Sequence, residues 1–252
     1  MKTNRYRLLD ELRGLTLVSM LVYHGCWDLV YMFHVKAPWY ESRGAFYWQQ
    51  SICWTFIFIS GFCWHFGKNK LRHAMKIFLG GAVITFATLL FMPADRVVFG
   101  ILTFLGSAAF IVILLNNILK YIKPSLGFPI SLLLFGLTKQ VNAGYLGTGF
   151  IKIAKVPDFF YRNLATAFLG FPGGGFYSTD YFSIFPWLFL YIAGYYCYLW
   201  MEETDRLKRL DTSIFSPLCF PGRYSFWIYM AHQPVLYLLL SIWFYLFPAG
   251  GR

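Results

Sequence analysis

Arg7-Leu8-Leu9-Asp10-Glu11-Leu12-Arg13-Gly14, then an apolar run, then Tyr23-His24-Gly25-Cys26-Trp27-Asp28: this stretch decides how the chain is read. It opens with charge, enters an apolar segment of membrane length, and carries a histidine and an aspartate deep into it. An ionisable side chain at bilayer depth costs a few kcal/mol or more, so it marks a functional site by default. Arg13 and His24 are eleven residues apart. That is close to three helical turns, which places them on one helix face, roughly 16 Å apart along the axis. Asp28 follows His24 by four residues and is its neighbour one turn further on.

Composition supports a membrane setting. Hydrophobic residues make up 58% of the chain and charged residues 13%, about half the charge of a soluble domain. The net charge of +11 does not indicate nucleic acid, because the cations cluster in short links between apolar runs, where positive-inside topology and anionic lipid account for them. Five cysteines, at 26, 53, 63, 197 and 219, show no metal spacing and read as small buried hydrophobes. The basic N-terminus followed by an apolar run has the outline of a signal peptide. The run is long, holds charge and lacks a convincing cleavage site, so it is expected to stay as the first transmembrane helix.

Seven stretches approach the roughly 20 apolar residues of a membrane helix: about 12–33, 45–66, 77–92, 97–119, 125–141, 183–200 and 224–247. The expectation is an all-α polytopic membrane protein, with about seven transmembrane helices in one bundle and a single domain over 1–252. Pro234 is expected to kink the seventh helix. A long non-spanning stretch over 142–182, rich in aromatics and glycine, reads as a packed outer loop between helices five and six, with a short helix through Tyr161-Arg162-Asn163. With these seven spans, fourteen Lys and Arg fall on the N-terminal side of the membrane and eight on the other. That bias puts the N-terminus in the cytoplasm and the C-terminus outside.

The polar residues suggest chemistry. His24 titrates near neutrality and suits a general base or nucleophile, and Asp28 is placed to hold its imidazole in one tautomer. Arg13 lies at a helix N-terminus with Arg7 and Asp10. Asp10 is expected to cap that helix and orient Arg13, and guanidinium with backbone N–H groups makes an anion site. Lys68, Lys70, Arg72 and Lys76 fall on the same side, so the two clusters together suit a phosphorylated cytoplasmic donor. His232-Gln233-Pro234 is a polar pair beside a proline within the last apolar run. Asp180 ends the long loop, facing an acceptor or capping the sixth helix. Ser60-Gly61 permits close helix packing, and Thr88 and Ser107 can bond back to their own helices. A proton-coupled small-solute transporter using His24, Asp28 and His232 as a relay is the alternative, but no inverted repeat supports it.

The set Leu9-Asp10-Glu11-Leu12-Arg13-Gly14 with His24, Phe58-Ile59-Ser60-Gly61-Phe62, Phe99-Gly100-Ile101-Leu102, Gly170-Phe171-Pro172, Ser178-Thr179-Asp180-Tyr181-Phe182, Phe185-Pro186-Trp187, Gly222-Arg223-Tyr224-Ser225 and His232-Gln233-Pro234 resembles, in order, the transmembrane acyltransferase superfamily. The similarity is to the branch of heparan-alpha-glucosaminide N-acetyltransferase and its bacterial relatives. Thr103 stands where relatives often carry a histidine. The resemblance implies an enzyme of the cell membrane that moves an acetyl group from cytosolic acetyl-CoA to an amine or hydroxyl of an extracytoplasmic sugar or glycan, without a metal. His24 would be the family's first-helix histidine and Arg13 its arginine at the cytoplasmic end. On this reading His24 and Asp28 serve the chemistry, Arg13, Asp10, Arg7, Lys68 and Arg72 hold acyl-CoA, and Asp180, His232 and Gln233 meet the acceptor. Membrane lipids are the remaining partners, nucleic acid is not one, and a homo-oligomer is compatible with this reading.

Overall fold

A computed structural model describes residues 6–149 and 151–247. Lys2, Arg5 and Arg252, which enter the charge bias above, lie outside the described residues. The chain is mostly helical: α1 (Arg7–Trp27), α2 (Arg43–Cys63), α3 (Lys70–Phe91), α4 (Ile101–Leu119), α5 (Pro124–Thr138), β1 (Tyr145–Thr148), β2 (Ile151–Lys155), α6 (Leu164–Leu169), α7 (Ile184–Glu203), α8 (Cys219–Arg223) and α9 (Ser225–Leu246).

Among the described residues, four helical segments are long and apolar enough to cross a membrane: Arg7–Met32, Lys70–Phe91, Ile101–Leu119 and Ile184–Glu203. The other three expected spans differ for physical reasons. Helices α2 and α9, of 21 and 22 residues, have the length, but Trp, Tyr, Gln and His dilute their apolar character. Helix α5 has 15 residues, about 22 Å at 1.5 Å per residue, which is short of a hydrocarbon core of about 30 Å. Helix α9 runs as one helix through Pro234, whose ring nitrogen offers no N–H to the Met230 carbonyl one turn back.

The stretch 142–182 is not structureless and not wholly helical. β1 and β2 pair antiparallel in a two-stranded hairpin, with an irregularity between Leu146 and Gly147. The short helix starts later than expected: α6 follows Asn163, whose side chain accepts from the Thr166 N–H while Thr166 Oγ1 accepts from the Asn163 N–H in a capping box. Side chains tie the segment down. Asn142 donates to the Gly170 carbonyl and to Ser183 Oγ, both at 2.9 Å, and Tyr161 donates to the Val141 carbonyl. Burial pushes the Tyr181 hydroxyl up to about 12, so it stays protonated and donates to the Ala167 carbonyl. Lys155 pairs with Asp158 at 2.8 Å, which raises the lysine above its ordinary value.

The contacts group into two compact units, one of residues 1–56 with 207–252 and the other of residues 57–206. In the first, Leu17, Met20 and Ile52 form a core covered by Leu21, Tyr23, Trp48, Phe56, Ile228 and Tyr229. Trp48 donates its indole N–H to Ser19 at 2.8 Å, as a tryptophan half-sunk in an apolar core must. In the second, α3 packs on α4 and α5 on α7. Gly61 and Gly194 let the end of α2 lie directly on α7: a Cβ at either would collide with the Tyr191 or Phe58 carbonyl. The buried tyrosines of α7 find acceptors, Tyr195 at Asn116 (2.9 Å) and Tyr196 at the Leu119 carbonyl (3.1 Å). Lys68 and Arg72 are exposed in this unit; the Arg72 N–H is capped by Asn69.

Candidate active site

The site assembles within the first unit, where α1 packs against α8 and α9. α1 ends at Trp27 and continues as one π-helical turn over Asp28–Met32, closed by the Phe33 N–H donating to the Asp28 carbonyl at 3.0 Å. Such a turn inserts an extra residue into the helical cycle and recurs at functional sites. It opens on Asp28, which is fully buried.

Two residues of α9 meet two residues of α1. The His24 and His232 rings lie edge to face with centroids 4.9 Å apart, and Asp28 Oδ1 accepts a hydrogen bond from the Gln233 side-chain amide. The aspartate thus takes its hydrogen bond from the neighbouring helix. His24, four residues back, packs on His232 and on the edge of Tyr23. His232 Nδ1 lies 2.5 Å from the Tyr229 carbonyl. A carbonyl only accepts, so Nδ1 carries the proton and the neutral ring keeps its lone pair on Nε2.

That lone pair is unused. Asp28 Oδ2, His232 Nε2 and Gln233 Oε1 are all buried and without a hydrogen-bond partner. Leaving one buried polar group unpaired costs about 1–3 kcal/mol. All three atoms are acceptors: two belong to the hydrogen-bonded Asp28–Gln233 pair and the third to His232, the residue before Gln233.

At the other end of α1, Asp10 is not the helix cap. Tyr6 occupies that position, with no side-chain cap bond. The buried Asp10 carboxylate instead lies between two guanidiniums, Arg13 at 3.8 Å and Arg223 at 3.5 Å. One carboxylate between two cations leaves a net positive charge at a helix N-terminus. Arg7 is exposed in the same turn. Glu11, also buried, accepts from Ser213 Oγ and from the Ile214 and Phe215 N–H groups at 2.9 and 3.1 Å, which ties the 213–215 segment to α1. Cys219 is buried beside it, 3.7 Å from Glu11. Burial, with the carboxylate nearby, pushes the thiol up, so it stays protonated and unreactive. α8 sits so close that a Cβ on Gly14 would strike the Leu218 carbonyl, and one on Gly222 the Asp10 carbonyl.

Asp180 belongs to the second unit and does not cap α7, whose N-cap is Ser183. Its carboxylate accepts the N–H of Ile101, the first residue of α4, at 3.1 Å. Thr103 is buried on α4 with its hydroxyl oxygen unpartnered. All five cysteines are free thiols. Among the described residues no group of three or more His, Cys, Asp or Glu is placed to hold a metal ion.

The family model described as heparan-alpha-glucosaminide N-acetyltransferase, catalytic, matches residues 5–234. The chain belongs to this family. The match covers both ends of the site, from Arg7 to Gln233, and gives the class as a membrane acetyltransferase. No curated protein and no solved structure matches the chain. Two contributors were not singled out from the sequence. Arg223 stands in the motif Gly222-Arg223-Tyr224-Ser225 and among the cations of the charge bias, but the sequence alone gives it no place beside Asp10. Glu11 was passed over as part of a charged helix start, although a carboxylate next to an apolar run is itself a signal of pairing.

Proposed function

We propose that the protein transfers an acetyl group from acetyl-CoA to a primary amine, with a sugar amine as the acceptor class. The observation that carries this reading is the three unpartnered acceptor atoms that the helix contact leaves on Asp28, His232 and Gln233. A hydroxyl offers one donor. A neutral primary amine, the form that attacks, offers two, and with a neighbouring hydroxyl three. Acyl transfer to nitrogen therefore satisfies these atoms, and a lone hydroxyl leaves buried acceptors unpaired.

The donor is held from the other end of the helix. Arg13, Arg7 and Arg223 face the phosphates of CoA, and Asp10 fixes two of these guanidiniums. Lys68 and Arg72, exposed in the second unit, add to the net positive charge that draws a polyanion to the protein. About three turns of α1 separate Arg13 from His24, a length suited to the slender pantetheine arm. The thioester then lies at His24, which serves as base or acyl carrier, with the acceptor amine at the unpartnered acceptors. Chemistry inside the bilayer, with acetyl-CoA entering from the cytoplasm and the acceptor from outside, is the arrangement that the seven-span reading of the sequence implies.

The test is thiol release from acetyl-CoA by the purified protein in detergent, with glucosamine as amine probe. Amine-dependent release with formation of the N-acetyl product is the expected result. Release that is absent, or indifferent to the amine, would contradict the reading.

A further inference from the structure

The geometry points to His232, on α9, as the group that takes the proton from the attacking amine. This assignment rests on the transferase reading above and divides the work of the two histidines: His232 takes the proton, and His24 holds the thioester in place for attack.

Three observations converge. The Tyr229 carbonyl fixes the ring by accepting from Nδ1, so the neutral imidazole has its basic lone pair on Nε2. That atom is buried and unpartnered. Its residue directly precedes Gln233, whose amide reaches Asp28 across the helix contact and whose Oε1 is unpartnered too. His232 is therefore set up as a proton acceptor beside His24 and next to the Gln233–Asp28 pair. His24, whose ring packs against it, lies on the helix that carries Arg13 and so on the side from which the thioester arrives.

The step balances without a further reagent. The neutral amine nitrogen attacks the thioester carbon, and a C–N bond forms as the carbonyl opens to a tetrahedral intermediate. The nitrogen, now cationic, gives one proton to His232 Nε2. The carbonyl re-forms, the C–S bond breaks with its electron pair going to sulfur, and the imidazolium proton neutralises the thiolate. Amine and acetyl-CoA become amide and CoA. Gln233 has no part in the proton's path. Its amide N–H holds Asp28 Oδ1 and leaves the other carboxylate oxygen, with its own carbonyl, to orient the amine.

The experiment compares His232→Gln and His232→Ala with the wild type, using acetyl-CoA and glucosamine as probes. Glutamine can donate to the Tyr229 carbonyl but cannot take a proton. His232→Gln is expected to keep the wild-type thermal midpoint in detergent and to lose about 10²- to 10⁴-fold in amine-dependent thiol release, the range typical of general base catalysis. Added imidazoles should restore part of the rate to His232→Ala, more so as the pKa of the added imidazole rises. A packing role would show no such gradation. A folded His232→Gln that keeps more than about a tenth of the rate, or a folded His232→Ala that no imidazole rescues, would overturn the assignment. Loss of the thermal midpoint in both variants would also overturn it, because the ring would then be structural. An inactive wild type overturns the transferase reading and the assignment with it. An active wild type with an active His232→Gln overturns the assignment alone.

Discussion

At the scale of single residues, the account turns on Asp28. Its carboxylate is divided between one oxygen held by Gln233 and one left open. Asp28→Asn keeps the shape and removes the charge. It is expected to lower turnover about tenfold or more, a barrier change of ~1.4 kcal/mol or above, while calorimetry finds the affinity for CoA unchanged, because the phosphate-facing cations lie about four turns or more away. A variant that weakens CoA binding and turnover in equal measure would place Asp28 on the donor instead. His24, Asp28, His232 and Gln233 were legible in the sequence because ionisable and amide groups stand out in apolar runs. Their pairing was not. Spacing along α1 put Asp28 beside His24, whereas the hydrogen bond goes to a residue 205 positions away, and only the packing of α1 on α9 decides that.

At the scale of elements, the donor end depends on how closely α8 approaches α1. Gly14 and Gly222 face backbone carbonyls, not flexible side chains, so neither contact can yield cheaply. Gly14→Val is expected to destabilise the protein by about 1–3 kcal/mol, the usual cost of overpacking, read as a lowered thermal midpoint. It should also weaken CoA binding by displacing Arg223 from Asp10. A variant with unchanged midpoint and unchanged CoA affinity would show that the approach does not matter. Helix order was well read from apolar run length. The hairpin was missed although Ile151-Lys152-Ile153 alternates as a strand does, because the glycines and aromatics around it read as loop. The π-turn at Asp28 left no mark in the periodicity, since one inserted residue shifts the phase only at the very end of the run.

At the scale of the whole molecule, the apolar surface has a role in solvation. Along α3, Met75, Leu79, Val83, Phe86 and Leu90 are exposed, as suits a helix facing lipid tails. The count of spans was less legible than their order, because α2, α5 and α9 trade hydropathy or length for aromatic and polar side chains. Orientation rests on the Lys and Arg bias of fourteen against eight. In sealed inside-out vesicles, a tag at the N-terminus is expected to be cut by added protease and one at the C-terminus to be protected. The reverse pattern would contradict the topology and the side from which acetyl-CoA enters.

The mechanism depends on acetyl transfer at His24, a half-buried residue of α1. Its most direct test is the fate of isotope-labelled acetyl-CoA given to wild type and His24→Ala, both with the same thermal midpoint and each incubated with glucosamine. The account predicts label in the N-acetyl product with the wild type and none above background with His24→Ala. Equal labelling of the product by the two proteins would contradict it.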